Sequence, residues 1–273
     1  MTAILLALTG STIASVGMVL QKKGIPWIGS NKKDKQDKRK HFWIWLSGIF
    51  LAYIVAAVPN SIAAQTLPPH IITSMAGWDI VLIVFLSGLI LKEQVFKSDY
   101  LYSMVIVGMT LFIAFRSEPV SYFTINLPIM IILFLVPGLV LLPLLFKTVD
   151  DKVKSVLLSI FAGSMSGVAI VYFNMLMRDL FTWGFDKIPL DVLLLYAFSA
   201  VLGAIGEQAS YSIGEMTIVA SIRLSFFIVY PIFGSMLLFS SKADVLQFIA
   251  VFIIILACYV MFKKRGRQAH KKS

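Results

Sequence analysis

Long apolar segments recur along the whole chain and leave few folds open to it. Each is close to the roughly 20 residues that one helix needs to cross a membrane. Of the 273 residues, 59% are hydrophobic and 14% are charged, whereas soluble globular domains contain roughly 25% charged residues. A chain with so little polar surface is predicted to be an all-α, polytopic membrane protein.

Nine segments have the length and composition of a membrane crossing. Their approximate bounds are 3–21, 42–64, 70–91, 99–115, 126–146, 155–177, 190–209, 214–239 and 244–262. No Lys or Arg precedes the first segment, so we expect it to be a retained crossing and not a cleaved signal peptide.

The basic residues divide unevenly between the two sides of the predicted membrane. Of the 24 Lys and Arg residues, nineteen lie in the first, third and fifth loops and the tail, and four lie in the other loops. Cytoplasmic loops carry the excess of basic residues, which predicts an outside N-terminus and a cytoplasmic C-terminus. The net charge of +10 therefore follows membrane topology, and no nucleic-acid partner is predicted.

Short sequence matches indicate an internal repeat. Leu8–Ser11 in the first segment resembles Phe161–Ser164 in the sixth, and a side-chain amide follows eleven residues after each glycine, at Gln21 and Asn174. Further matches link the third segment to the eighth and the start of the fourth to the start of the ninth. The matches occur in the same order, so they pair segments 1–4 with segments 6–9.

A single unpaired segment between two four-segment units inverts the second unit relative to the first. We therefore predict a first four-helix repeat at 1–116, a connecting helix at 117–151, a second, inverted four-helix repeat at 152–262 and a basic cytoplasmic tail at 263–273. Many secondary transporters are built from inverted repeats, with the site near the membrane midplane between them.

Two charges of opposite sign lie inside apolar segments, Asp79 in the third and Arg223 in the eighth. An ionisable group at that depth is costly and marks a pathway or a paired site. When Ile71–Ser74 is aligned with Ile218–Ser221, Arg223 falls one helical turn from Asp79. The two are therefore candidates for a midplane pair, and Asp79 is a candidate for binding a cation or a coupling proton.

Four more polar residues complete the predicted pathway. Asn60 and Glu207 lie near segment ends and suit opposite vestibules, although interfacial solvation is the simpler explanation for both. Gln21 and Asn174 suit contacts with solute or hydrogen bonds between helices. No His, Cys or carboxylate grouping has metal-ligand spacing, and no phosphate-binding loop is visible. We predict no catalytic residue, no cofactor and no resident metal, and hence no enzyme.

Three stretches resemble a known family: Gly10-Ser11 followed by Gln21–Gly24, the run from Pro59 to Pro68, and the ending Leu91–Glu93. They are similar to the drug/metabolite transporter superfamily, which includes proteins with the EamA-type repeat. Nine crossings with an outside N-terminus resemble its NIPA-type magnesium transporters, since members with the EamA-type repeat usually have ten. The resemblance implies a membrane transporter.

The predicted function is secondary transport of a small polar or charged solute, a metabolite or amino acid, by alternating access. Arg223 favours an anionic or zwitterionic solute, because guanidinium suits carboxylate or phosphate. The family resemblance and Asp79 favour Mg²⁺ or another divalent cation. A non-transporting scaffold or lipid-handling subunit is the third alternative. The predicted partners are the lipid bilayer of the plasma membrane and the solute, and a homodimer is compatible with the sequence.

Overall fold

The structure is a computed structural model and describes residues 2–26, 35–64, 69–116, 126–145, 149–184, 189–238 and 245–270. Every regular element within these ranges is helical, which confirms the all-α prediction. Six of the helices are long and apolar enough to cross a membrane. The fold is therefore that of a polytopic membrane protein, while the count of nine crossings stays a prediction.

Ten α-helices follow one another along the described ranges. They are α1 (Thr2–Gly24), α2 (Lys35–Ile49), α3 (Ala57–Ala64), α4 (Pro69–Leu86), α5 (Lys97–Arg116), α6 (Leu127–Leu139), α7 (Asp151–Trp183), α8 (Leu190–Ile213), α9 (Met216–Leu238) and α10 (Val245–His270). A π-helical turn at Phe50–Val55 links α2 to α3, and a second at Ser87–Leu91 extends α4. A 3₁₀ turn at Leu142–Leu145 follows α6. Helix α10 continues through His270, into the stretch predicted as a tail.

Similar helix contacts occur in the two halves of the chain. In the first half α1 packs against α2, α3 and α4, and in the second half α7 packs against α8 and α9. Helix α4 packs against α5, as α9 packs against α10. Between the halves, α4 contacts α9 and α5 contacts α10. Helices α1 and α7 are thus the central members of their groups.

Glycines bring the backbones of α1 and α2 close together. A Cβ atom at Gly17 would lie 2.6 Å from the backbone nitrogen of Ala52, and one at Gly48 would lie 2.6 Å from the backbone nitrogen of Gln21. Membrane helices commonly pack through such small residues, because lipid offers no hydrophobic drive for one helix to join another. The close approach holds the π-helical turn after α2 against α1.

Two tyrosine hydroxyls of the second half bind backbone carbonyls of the connecting helix α6, and a proline frees one of these carbonyls. Pro137 cannot donate a hydrogen bond to the carbonyl of Leu133, four residues earlier. Tyr230 of α9 donates its hydroxyl to that carbonyl at 3.0 Å, and Tyr172 of α7 donates to the carbonyl of Met130 at 2.6 Å. A carbonyl freed in apolar surroundings is tolerated where protein supplies such a donor.

Candidate functional site

Glu207 and Arg223 form a buried ion pair. They lie on α8 and α9, which are joined only by Gly214 and Glu215. The two charged residues stand eight positions before and after Glu215, so the tight turn brings them to the same depth. Arg223 Nη2 lies 2.9 Å from Glu207 Oε2, and the side chains are 6% and 1% exposed.

A hydroxyl from the first half also binds Glu207. Tyr53 donates to Glu207 Oε2 at 2.8 Å and lies in the π-helical turn Phe50–Val55. A π-helical turn widens the helix by one residue and occurs often at functional sites. The Tyr53–Glu207 hydrogen bond therefore links α8 to the region between α2 and α3.

Arg223 Nε has no hydrogen-bond partner in the part of the chain that the structure describes. Glu207 Oε1 and the hydroxyl of Tyr211 have no partner of standard hydrogen-bond geometry there, although the hydroxyl interacts with the Glu207 carboxyl group. All three residues are buried. Arg223 Nη1 reaches only the sulfur of Met18, at 3.5 Å, and sulfur is a weak acceptor. Each unpaired buried polar atom costs about 1–3 kcal/mol, so the cluster retains unused hydrogen-bonding capacity at a cost in stability.

Asp79 lies on α4 and is 5% exposed. Ser15 of α1 donates to Asp79 Oδ1 at 3.0 Å, and the hydroxyl of Ser11, one turn earlier, is a second hydrogen-bonding group for the carboxyl. Arg223 acts on Asp79 electrostatically, but its ion-pair partner among the described residues is Glu207. The midplane pair considered for Asp79 and Arg223 is therefore not formed, because the α8–α9 turn places a nearer carboxylate beside the guanidinium.

Interfacial solvation is the wrong explanation for Glu207. Its side chain is 1% exposed, although it lies only about 9 Å along the axis from the end of α8. Tyr53 and Arg223 cover it from neighbouring elements. Position near a helix end therefore does not show that a side chain is solvated, because neighbouring helices can cover that end.

Gln21 joins three elements at the end of α1. It is buried, donates to the carbonyl of Gly48 at 3.4 Å and accepts a hydrogen bond from Gln208 Nε2 on α8. Trp45 of α2 donates in turn to Gln208 Oε1 at 2.8 Å. These contacts match the role of hydrogen-bonding between helices, and a role for Gln21 in a solute pathway stays a prediction.

Among the described residues, neither Asn60 nor Asn174 is hydrogen-bonded to the Glu207–Arg223 cluster. Asn60 is half-buried on α3, and a Cβ atom at Gly10 of α1 would overlap its amide. Asn174 Nδ2 donates to the carbonyl of Ile170 on its own helix at 2.8 Å. The equal spacing of Gln21 and Asn174 in the sequence therefore does not give them equal contacts.

Glu93 caps the helix that carries Arg223. Its carboxylate accepts from the backbone nitrogens of Met216 at 2.7 Å and Thr217 at 3.1 Å, and from the Thr217 hydroxyl at 2.9 Å. A carboxylate is favoured there because the first N–H groups of a helix are unpaired and carry partial positive charge. Lys92, with a left-handed φ of 57°, ends the π-helical turn just before Glu93.

Lys22 caps the helix that carries Glu207. Its ammonium group donates to the carbonyl of Gly214 at 2.7 Å and to the carbonyl of Tyr211. A cation is favoured at a helix C-terminus, where the last carbonyls are unpaired and carry partial negative charge. One cation and one anion from the first half thus hold the α8–α9 turn, which we call the double cap of Lys22 and Glu93.

We expect Glu93→Gln to lower the free energy of unfolding by about 1–3 kcal/mol, because hydrogen bonds to a charged group are the stronger ones. Denaturant unfolding of the detergent-solubilised chain measures the loss. The matched control is Asp151→Asn, which removes the exposed pair of Asp151 with Lys154 at 2.9 Å and should cost less than about 1 kcal/mol. Equal losses in the two variants would argue against a structural role for the cap.

Several residues of the cluster do not stand out in the sequence. Glu207 and Arg223 stand eight positions on either side of Glu215, but the two-residue turn that gives this spacing its meaning is seen only in the structure. Tyr53, Tyr211 and Ser15 have no signal in the sequence, because their contacts depend on the rotation of helices that are far apart in the chain. Glu93 stands out only through the resemblance of the Leu91–Glu93 ending to a family.

Within the described ranges, no group of three or more His, Cys, Asp and Glu side chains could hold a metal ion. Compared with known proteins, the chain matches no protein-family profile, no curated protein and no solved structure. The drug/metabolite transporter resemblance therefore stays a prediction that rests on its short motifs.

Proposed function

We propose that this protein is a secondary transporter of a small polar or charged solute and that the Glu207–Arg223 pair lies in its solute site. The observation that carries the proposal is a buried ion pair in which Arg223 Nε has no partner among the described residues, and in which Glu207 Oε1 and the Tyr211 hydroxyl lack a hydrogen bond of standard geometry. A buried pair that served packing alone would have its polar atoms hydrogen-bonded, as nearly all buried polar groups do. Charged side chains in membrane helices also mark pathways by default.

The chemistry of these atoms favours a zwitterionic solute. The Nε–H group of Arg223 donates to a carboxylate or phosphate. Glu207 Oε1 accepts from an ammonium or hydroxyl group, and the Tyr211 hydroxyl does either. An amino acid, or a similar metabolite with an amine and an acid group, carries both kinds of partner.

The arrangement of the helices supports alternating access between two halves. Similar helix contacts occur in the two halves, and α4–α9 and α5–α10 contacts join the halves. When α2, its π-helical turn and α3 are counted as one helix, these contacts are expected of two inverted four-helix repeats on either side of α6. In such transporters one repeat rocks against the other around a fixed site. The Tyr53–Glu207 bond and the double cap of Lys22 and Glu93 cross between the halves, so they are the polar contacts that this movement would break and remake.

The remaining parts of the proposal depend on the sequence. They are the nine crossings, the outside N-terminus, the plasma-membrane location and the membership of the drug/metabolite transporter superfamily. The excess of Lys and Arg in the first, third and fifth loops and the tail supports the outside N-terminus, and the internal repeat supports the inverted arrangement of the two halves.

Counterflow in proteoliposomes tests the proposal. The full-length chain is reconstituted into vesicles loaded with an unlabelled solute, and entry of the same radiolabelled solute is followed for amino acids, small carboxylates and phosphate esters in turn. We expect exchange for one class of solute. The double variant Glu207→Gln with Arg223→Met should lose at least about tenfold, which corresponds to losing about 1.4 kcal/mol of interaction with the solute. Asp151→Asn is the matched control and should exchange as the wild type does.

Two results would reject the site. The first is exchange by the double variant at the wild-type rate. The second is the absence of exchange for every class by a wild-type chain that remains folded in the vesicles, as judged by its circular dichroism.

A divalent cation is the second candidate, because Glu207 neutralises Arg223. A fixed positive charge would repel Mg²⁺, but the 2.9 Å ion pair neutralises that charge and leaves the buried carboxyl group of Asp79 available to a cation. Mg²⁺ prefers oxygen ligands that include one or two carboxylates. A Mg²⁺-sensitive dye trapped in the same vesicles separates the candidates: Mg²⁺ entry that Asp79→Asn abolishes, without exchange of any organic solute, would favour the cation.

A further inference from the structure

Two buried carboxyl groups lie near Arg223, and their surroundings differ. Glu207 Oε2 accepts from the guanidinium of Arg223 at 2.9 Å and from the hydroxyl of Tyr53 at 2.8 Å, so a cation and a hydroxyl donor face this carboxyl group. Asp79 contacts the hydroxyls of Ser15 and Ser11. A serine hydroxyl donates to a carboxylate and accepts from a carboxylic acid. The surroundings of Asp79 therefore accommodate either protonation state.

The charged groups around Asp79 leave this choice open. Helix α4 packs against α1, α3, α5, α7 and α9. On these helices Arg223 of α9 acts on Asp79, and the other charged side chains that the structure describes belong to residues within four positions of a helix end. They are Lys22 and Lys23 of α1, Lys97 and Asp99 of α5, and Asp151, Lys152 and Lys154 of α7. Arg223 itself is ion-paired with Glu207.

One face of α1 connects Asp79 with the ion pair and the double cap. Ser11, Ser15, Met18 and Lys22 are spaced by four, three and four residues, so they lie above one another on the helix. Ser11 and Ser15 contact Asp79, Met18 contacts the guanidinium of Arg223, and Lys22 contacts the α8–α9 turn. A change at Asp79 that shifts α1 would therefore alter the contacts of α1 with Arg223 and with the α8–α9 turn.

We infer that Asp79 is a coupling-ion site that binds H⁺, separate from the solute site at Glu207 and Arg223. The inference rests on the proposed transport function. In the binding step a hydronium ion gives up a proton: its O–H bond breaks, an O–H bond forms at a carboxylate oxygen of Asp79, and water and a neutral carboxyl group result. One carboxyl and two hydroxyls suit a proton better than Mg²⁺, which demands six ligands in octahedral geometry.

Infrared difference spectroscopy of the full-length chain in lipid bilayers tests the inference without any solute. Spectra recorded in acidic and alkaline buffer are subtracted, and a protonated, buried carboxyl contributes a C=O band that the carboxylate lacks. We expect this band in the wild type and in Glu93→Gln, which removes a carboxyl group but keeps the Glu207–Arg223 pair, and its loss in Asp79→Asn. Ser15→Ala should keep the band but shift its frequency, because the carboxyl loses the 3.0 Å hydrogen-bond partner.

Three outcomes would overturn the inference. The band is absent from the wild-type difference spectrum, so Asp79 keeps one protonation state; or the band remains in Asp79→Asn or disappears in Glu93→Gln; or Ser15→Ala leaves its frequency unchanged. The Ser15→Ala comparison stands even if Asp79→Asn does not fold. Because the measurement needs no transport, failure of the solute-exchange experiment and failure of this one are distinguishable.

Discussion

Arg223→Met is expected to destabilise the protein by about 3–5 kcal/mol, because it leaves Glu207 as a buried carboxylate without its cation. Burial decides the size of the effect: the side chains of Arg223 and Glu207 are 6% and 1% exposed, so water cannot replace the lost partner. Thermal or denaturant unfolding in one detergent, with helix content followed by circular dichroism, measures the loss.

The double variant distinguishes a broken ion pair from a damaged helix contact. Glu207→Gln with Arg223→Met leaves no charge at either position of the pair, and replacing both members of a buried pair by neutral residues is often harmless to stability. We therefore expect the double variant to recover most of the stability that Arg223→Met loses, which corresponds to a coupling of about 3 kcal/mol between the two sites, at the top of the usual range. Additive losses would mean that the two side chains do not interact in the membrane-embedded protein.

The second large effect is expected at Gly163 of α7. A Cβ atom there would overlap the backbone carbonyl of Arg223 and lie 3.0 Å from the Cβ of Phe226. A backbone atom cannot swing away as the end of a flexible side chain can, so Gly163→Ala must push α9 away from α7. We expect a loss of about 3 kcal/mol, the upper range for overpacking, measured by the same unfolding experiment.

Gly108 of α5 is the matched control. No atom lies within 4 Å of a Cβ placed there, so Gly108→Ala should be neutral or stabilising by up to about 1 kcal/mol, the difference in helix propensity. Similar effects at Gly108 and Gly163 would contradict the close α7–α9 contact. Because Gly163 supports the backbone of Arg223, Gly163→Ala should also weaken the coupling between Glu207 and Arg223.

Much of the fold follows from local properties of the chain. The length and apolar character of each segment are enough to predict helices, and the scarcity of charged residues is enough to predict a membrane environment. The same argument picks out Asp79 and Arg223 as unusual, because a charge inside an apolar segment is visible without any knowledge of the fold. The Glu207–Arg223 pair does not follow from the predicted segments, which end at 209 and begin again at 214, because only the structure shows the two-residue turn that places both charges at one level.

The partners of these charges depend on contacts between distant parts of the chain. Ser15 meets Asp79 across 64 residues, Tyr53 meets Glu207 across 154, and Glu93 meets Thr217 across 124. The physical reason is that a helix with apolar residues on all sides has no pattern that states which face turns inward. The rotation of each helix, the π-helical turn that carries Tyr53 and the close approaches at glycines follow from packing against neighbouring helices. The chain therefore specifies its helices and its intramembrane charges locally, and the assembled bundle selects which groups surround them.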